Sequence, residues 1–177
     1  MKKMIFIFTC LLCSFLVACN GSNKEIAEQK NALITFQNVT ITEMDALNAQ
    51  VTPEESLQDA ARDLLFQEIM IVEAEKAGIT YDEFSLDGLV NQTHAIFEYD
   101  QEAITFITAK SELYNLTPED YIDTIWKEGL KKKLIANNYL MEHIDFNEKE
   151  TAEIEAEVEE IRNELLAKYK DEIEYHF

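Results

Sequence analysis

The sequence predicts an all-α protein, an irregular, orthogonally packed bundle of about six helices preceded by one short N-terminal strand-like segment. Three observations carry that reading. Glycine and proline are scarce, four and two respectively in 177 residues. Both prolines stand in Thr-Pro-acid-acid sequences, which start helices. Beyond residue 42 the apolar residues recur at helical rather than alternating spacing. β-branched and aromatic residues cluster once, in Leu33 to Phe36 and Val39 to Ile41, with Gln37-Asn38 between them. Ala32 to Ile41 is therefore the one segment that reads as a strand.

Ahead of it, Lys2 and Lys3 precede an apolar run from Met4 to Val17. That run is shorter than the roughly 20 apolar residues of a spanning helix, and a positive start before a short apolar stretch marks an export signal. It closes on Leu16-Val17-Ala18-Cys19, which matches a bacterial lipobox: a branched residue, a tolerant position, a small residue, and the cysteine that receives lipid. Cys10 and Cys13 fail the pattern, because Thr9 and Leu12 stand where a small residue is needed. The expectation is a signal peptide over residues 1–18, a diacylglycerol anchor on Cys19, and a polar tether over residues 19–31. Two acyl chains hold a protein on a membrane stably where one does not. The address is then the extracytoplasmic face of a bacterial membrane, and the Lys-rich, Arg-poor basic set leans towards a Gram-positive cell.

Residues 32–177 read as one domain, a length that buries a sizeable core. A short helix is expected over Glu43 to Ala49, capped by Thr42. Thr52-Pro53-Glu54-Glu55 would open a long helix from about Pro53 to Ala77, stopped by Gly78. Its positions Leu64, Leu65, Phe66, Ile69, Met70, Ile71 and Val72 make its second half apolar nearly all round, so it is expected at the centre. Helices follow over Tyr81 to Glu98 and Gln101 to Tyr114, with Thr80 and Asp100 as caps. Thr117-Pro118-Glu119-Asp120 opens a second long helix from about Pro118 to Met141, with a core-facing set of Ile122, Ile125, Trp126, Leu130, Leu134 and Met141. Asn147 and Glu150 start a last helix that runs from Glu148 towards the C-terminus. Its narrow seam of Ile154, Val158, Ile161 and Leu165, flanked by glutamates, suits an outer helix packed on one side.

The formal charge is −20, and it becomes two units more negative without Lys2 and Lys3. Generic nucleic-acid binding, which neutralises phosphates with lysine and arginine, is excluded. Anionic lipid would repel the domain, leaving the anchor as its membrane contact. His94, His143 and His176 have no partner at a metal-site or catalytic spacing, and phosphate-loop and nucleophile-elbow motifs are absent from the sequence. The acidic run Glu148 to Glu164 winds around a helix and does not converge into an oxygen cage. The reading is a binding protein without cofactor, metal or catalytic residue.

The order of segments resembles the helical N-terminal chaperone region of the SurA and PrsA type of extracytoplasmic foldases. The residues that carry the likeness are Leu33 to Phe36, the turn Gln37-Asn38, and Thr40-Ile41-Thr42-Glu43. To these are added Ala74-Glu75-Lys76-Ala77-Gly78-Ile79 before an acidic helix start, Leu116-Thr117-Pro118-Glu119-Asp120-Tyr121, and the terminal Tyr169 to Tyr175. The family turn is commonly Asn-Gly, from which Gln37-Asn38 departs. The resemblance covers about residues 32–177. Relatives of this type carry a parvulin-type isomerase domain at the point where this sequence ends. It implies a chaperone-like binder of unfolded or partly folded exported proteins, without isomerase activity. The alternative is an adaptor lipoprotein docking one membrane or cell-wall protein. Candidate client-binding residues are Phe66, Met70, Phe97, Phe106 and Trp126. The sequence leaves the oligomeric state and the identity of the client open.

Overall fold

Ala32–Phe36 (β1) and Val39–Thr42 (β2) pair antiparallel as a hairpin, so the expected strand-like segment is two strands. Ile34 stands opposite Ile41 and Phe36 opposite Val39, which puts Ile34, Phe36 and Ile41 on one buried face. Gln37 takes a left-handed φ of 51° in the two-residue turn, the position that Gly or Asn more often fills. The computed structural model describes residues 31–177 apart from 51, 53 and 148. The signal peptide, Cys19 and the tether up to residue 30 lie outside the described residues.

A third strand, Ile173–Tyr175 (β3), pairs antiparallel with β1, giving the order β2-β1-β3. This corrects two expectations, that the C-terminal segment is helical to its end and that strand is confined to Ala32 to Ile41. The protein is mainly helical with a small three-stranded sheet. The last helix stops at Tyr169, a 3₁₀ turn over Lys170–Glu172 redirects the chain, and three residues of strand are too few to show an alternating pattern. Gln37 Nε2 donates to Glu172 Oε2 at 2.8 Å and His176 N donates to Leu33 O at 2.9 Å, closing both ends of this pairing.

Helix α1 (Glu43–Ala49) starts where expected. Thr42 accepts from Asp45 N, and the Asp45 carboxylate accepts from Thr42 N, a reciprocal capping box. Helix α2 (Leu57–Ala77) begins later than expected: Ser56 accepts from Asp59 N at 3.1 Å, whereas Pro53 lies outside the described residues. Its end is a Schellman turn. Gly78, at φ 72°, donates to Glu75 O, and Ile79 N donates to Ala74 O. Because that turn occupies Gly78 and Ile79, α3 (Glu83–Phe97) starts at Asp82 rather than Thr80. Asp100 caps α4 (Gln101–Leu113) as expected, and left-handed Asn115 ends it with the same pair of bonds.

The second long helix is a compound rod. Thr117 caps α5 (Pro118–Tyr121), a π-helical turn spans Ile122–Trp126, and α6 (Lys127–His143) continues. Helix α7 (Thr151–Tyr169) is capped by Glu150 through a box with Glu153, not by Asn147, which turns back onto Asp145 instead. Its seam packs on one side while its glutamate face meets solvent.

Two apolar clusters result, and the rod belongs to both. In the first, α2 is surrounded by the inner face of the sheet, α1, the second half of α6 and α7. In the second, Leu86 and Val90 of α3, Ile107 of α4, and Tyr121, Ile122 and Leu130 of the rod meet. Leu130 faces the second cluster, whereas Ala136, Tyr139 and Leu140 have turned to α2. Met141 returns to the stripe of Leu130 and Leu134 after the second cluster has ended. It is 62% exposed, contrary to its expected place in the core.

Polar contacts pin α7 to α2. Arg162 Nη1 donates to Asp63 Oδ1 at 2.6 Å and lies over the Phe66 ring. Glu73 accepts from Lys168 at 2.5 Å, from Lys76 at 3.1 Å and from the Tyr169 hydroxyl, while the Tyr169 ring meets the Phe36 ring edge-on at 5.4 Å. Burial opposes ionisation of Glu73, but the hydrogen bonds from Lys168, Tyr169 and Lys76 outweigh it and bring its pKa down from 4.5 to about 2. A depressed carboxylate contributes stability above its unfolded pKa and loses it as pH falls towards the folded value. The expected result is that Glu73→Gln lowers stability at pH 7 by about 1–3 kcal/mol. The difference from the parent should shrink between pH 4.5 and about 2, as read by denaturant unfolding across that range.

Candidate functional site

An apolar pocket of about 160 Å³ opens between α3, α4 and the π turn. Helix α3 contributes Leu89, Gln92, Thr93 and Ile96, which share one face at spacings of three and four. Helix α4 contributes Ala103, Phe106 and Ile107, and the rod contributes Trp126 and Leu130. The π turn matters here because its last residue is Trp126. Such turns interrupt the regular ladder of a helix and recur at functional sites.

Two of the polar side chains at the pocket bond each other. Trp126 Nε1 donates to Thr93 Oγ1 at 3.0 Å, and the Thr93 hydroxyl donates onward to Leu89 O at 2.9 Å. Phe106 meets Trp126 edge-on at 6.1 Å. At the outer edge His94 Nε2 lies 2.8 Å from Asp123 Oδ1, joining α3 to the π turn. This pair was not visible at the sequence level, since 29 positions separate its members. The lining thus presents a half-open, largely apolar recess that suits a hydrocarbon side chain better than a polar ligand.

Behind the pocket, a polar seam joins the second cluster to α1. Tyr121 donates to Asn48 Oδ1 at 2.8 Å, and both residues are buried. The Tyr114 ring lies 6.0 Å from that of Tyr121, and burial raises both hydroxyls well above the usual tyrosine range. Lys110 donates to the carbonyls of Leu47 and Gln50 at the C-terminal end of α1, where a helix dipole favours a cation. Burial holds its ammonium below the ordinary lysine range, against the pull of Glu55.

The five candidate residues divide between the two clusters. Phe66 and Met70 are buried in the first, 4% and 5% exposed, so they form core rather than a receiving surface. The apolar girdle of α2 explains this: every side of it is covered. Phe97 is partly buried against the second cluster without lining the pocket. Phe106 and Trp126 do line it. Leu89, Thr93, Ile96 and Ala103 escaped sequence reasoning, because helical spacing marks a shared face but does not separate a recess from a filled core. Phe84 and Tyr99, 86% and 76% exposed, were missed as well. Nothing in the structure explains the exposure of Phe84.

Among the described residues no group of three or more His, Cys, Asp and Glu side chains is placed to hold a metal, and no helix is long and apolar enough to cross a membrane. No family model, curated protein or solved structure matches the chain. Thr93→Val keeps the shape of the pocket but leaves Trp126 Nε1 without its acceptor. The variant should lose about 1–2 kcal/mol in denaturant unfolding and shift the Trp126 emission, the sole tryptophan signal of the chain.

Proposed function

We propose that this chain is a lipid-anchored, extracytoplasmic, chaperone-like protein that binds unfolded or partly folded exported chains. The observation that carries the reading is the apolar pocket between α3, α4 and the π turn, half open and lined almost wholly by hydrocarbon. An unfolded chain differs from a folded one in displaying large apolar side chains, and an apolar recess in a strongly charged surface receives them one at a time. The charge of −20 supports the same task by keeping the protein and a bound client in solution. The layout likeness to the SurA and PrsA type of foldase supports a chaperone module, and the lipobox ending in Cys19 supports its placement at the membrane surface. The reading needs no nucleotide, metal or other cofactor, and assigns no catalysis.

A second reading, an adaptor docking one membrane or cell-wall protein, draws on the size of the pocket. About 160 Å³ receives one side chain rather than a length of chain, which suits a single anchor residue on a dedicated partner. A pull-down of the lipidated protein giving one dominant stoichiometric partner would favour the adaptor.

For the chaperone reading, the full chain in zwitterionic nanodiscs should slow the aggregation of several unfolded secretory proteins at stoichiometric ratios, followed by light scattering. No effect across those clients, with a PrsA-type protein active alongside, would overturn it. For the anchor, Cys19→Ala should abolish the incorporation of labelled palmitate that the parent shows in cells. Absence of label in the parent, or equal labelling of the variant, would sink that part of the proposal.

A further inference from the structure

We infer that the pocket selects cationic segments of its clients: it takes one branched or aromatic side chain while flanking lysines or arginines meet carboxylates on the pocket walls. The inference rests on the client-binding reading above and names the class of segment bound.

The size of the recess sets the first half. A cavity of about 150 Å³ lined by aliphatic and aromatic groups accommodates benzene. The pocket, at about 160 Å³, therefore fits a leucine, isoleucine or phenylalanine side chain. Its one indole donor is already held by Thr93, and only the Gln92 carboxamide adds a further polar group to a lining that is otherwise mostly hydrocarbon.

The walls set the second half. From residue 83 to residue 126 the sequence holds nine carboxylates and one lysine. That lysine, Lys110, is directed to the carbonyls of α1. Glu98, Asp100 and Glu102 occupy the turn between Ile96 and Ala103, two residues that line the pocket, and Glu98 and Glu102 are exposed. Asp123, also exposed, stands on the opposite wall three residues before Trp126, with one carboxylate oxygen 2.8 Å from His94 Nε2 and the other in no hydrogen bond among the described residues. The nearest cation of the rod, Lys127, is 3.3 Å from Asp87, so it offsets one carboxylate and leaves the surplus intact. Tyr99, 76% exposed in the same turn, adds an aromatic face beside these acids, of the kind that attracts ammonium and guanidinium groups.

An apolar recess alone accepts any hydrocarbon, and a negative rim alone attracts any cation. Together they demand both features in one segment, and complementary charge raises the association rate and rejects like-charged partners. A second copy of this chain, at −20, is repelled from the same surface.

Trp126 is the only tryptophan and lines the pocket, so its emission reports occupancy. The full chain is titrated with three short peptides lacking aromatic residues. The first has one leucine between lysines, the second has glutamates in place of the lysines, and the third keeps the lysines but has serine in place of leucine. The first should change Trp126 emission saturably, and the other two should bind at least tenfold more weakly. Raising salt from about 50 to about 500 mM should weaken the first peptide severalfold, since exposed charges are screened within a few ångströms at the higher value. Ala103→Leu, which fills the recess, should weaken it at least tenfold. Glu98→Gln combined with Glu102→Gln should weaken it at least threefold, with circular dichroism confirming that each variant is folded. Equal binding of the lysine and glutamate peptides, or of the leucine and serine peptides, overturns the inference. If aggregation of clients is suppressed but no peptide reaches Trp126, the pocket assignment fails and the chaperone reading stands. If the lysine-leucine peptide binds with the expected selectivity and no client is protected, the recognition stands and the chaperone reading fails.

Discussion

One constraint organises the first cluster: α2 is apolar on every side over its second half and has to be covered all round. A helix of 21 residues is about 32 Å long, too long for a single neighbour to shield it. The cover is assembled from elements far apart in sequence, namely the hairpin and α1 before α2, and α6, α7 and β3 after it. Tyr169 shows how closely the parts depend on one another. Its ring meets Phe36 of the sheet, its hydroxyl bonds Glu73 of α2, and it is the last residue of α7. Removing α2 would leave the sheet without a floor and α7 without a partner.

The strong negative charge limits how that cover is attached. Helix α7 carries only a narrow apolar seam, and its outer face repels the rest of an acidic chain. Its attachment therefore relies on cations aimed at particular carboxylates of α2, Arg162 at Asp63 and Lys168 at Glu73. Lys132 at Glu68 does the same between α6 and α2. These pairs are partly buried, where Coulomb attraction is less screened than at an open surface. Several of the scarce basic residues thus lie between helices, and Glu98 and Glu102 beside the pocket form no ion pair among the described residues.

The helices were legible because their signals are local. Thr42, Asp100 and Thr117 cap the helices they were expected to cap, and the all-round apolar pattern of α2 placed it at the centre. Ser56 displaced Thr52 as a cap one turn further on, and Asp82 displaced Thr80 because the Schellman turn takes up Gly78 and Ile79; sequence gives little basis for choosing between such neighbouring caps. Strand β3 was hidden because it exists only by pairing with β1, some 140 positions away. Met141 was misplaced because a single helical face was assumed where the rod serves two clusters in turn. The pocket was half legible: Phe106 and Trp126 stood out as large apolar residues. Yet the π turn that presents Trp126 has no sequence signature, and Phe66 and Met70 looked equally eligible until their cover was known.

The central position of β1 in the sheet also bears on the order in which the molecule is built. Its partners are the strand next to it in sequence and the strand nearest the C-terminus, so the first cluster joins residues separated by nearly the whole domain. The second cluster draws on one continuous stretch, from Tyr81 to Leu134. Contacts between neighbours in sequence form faster than contacts that close long loops. As the chain emerges from a ribosome, the stretch holding the pocket has all its partners early. The sheet must wait for residues 173–175, the last part of α2's surroundings to arrive.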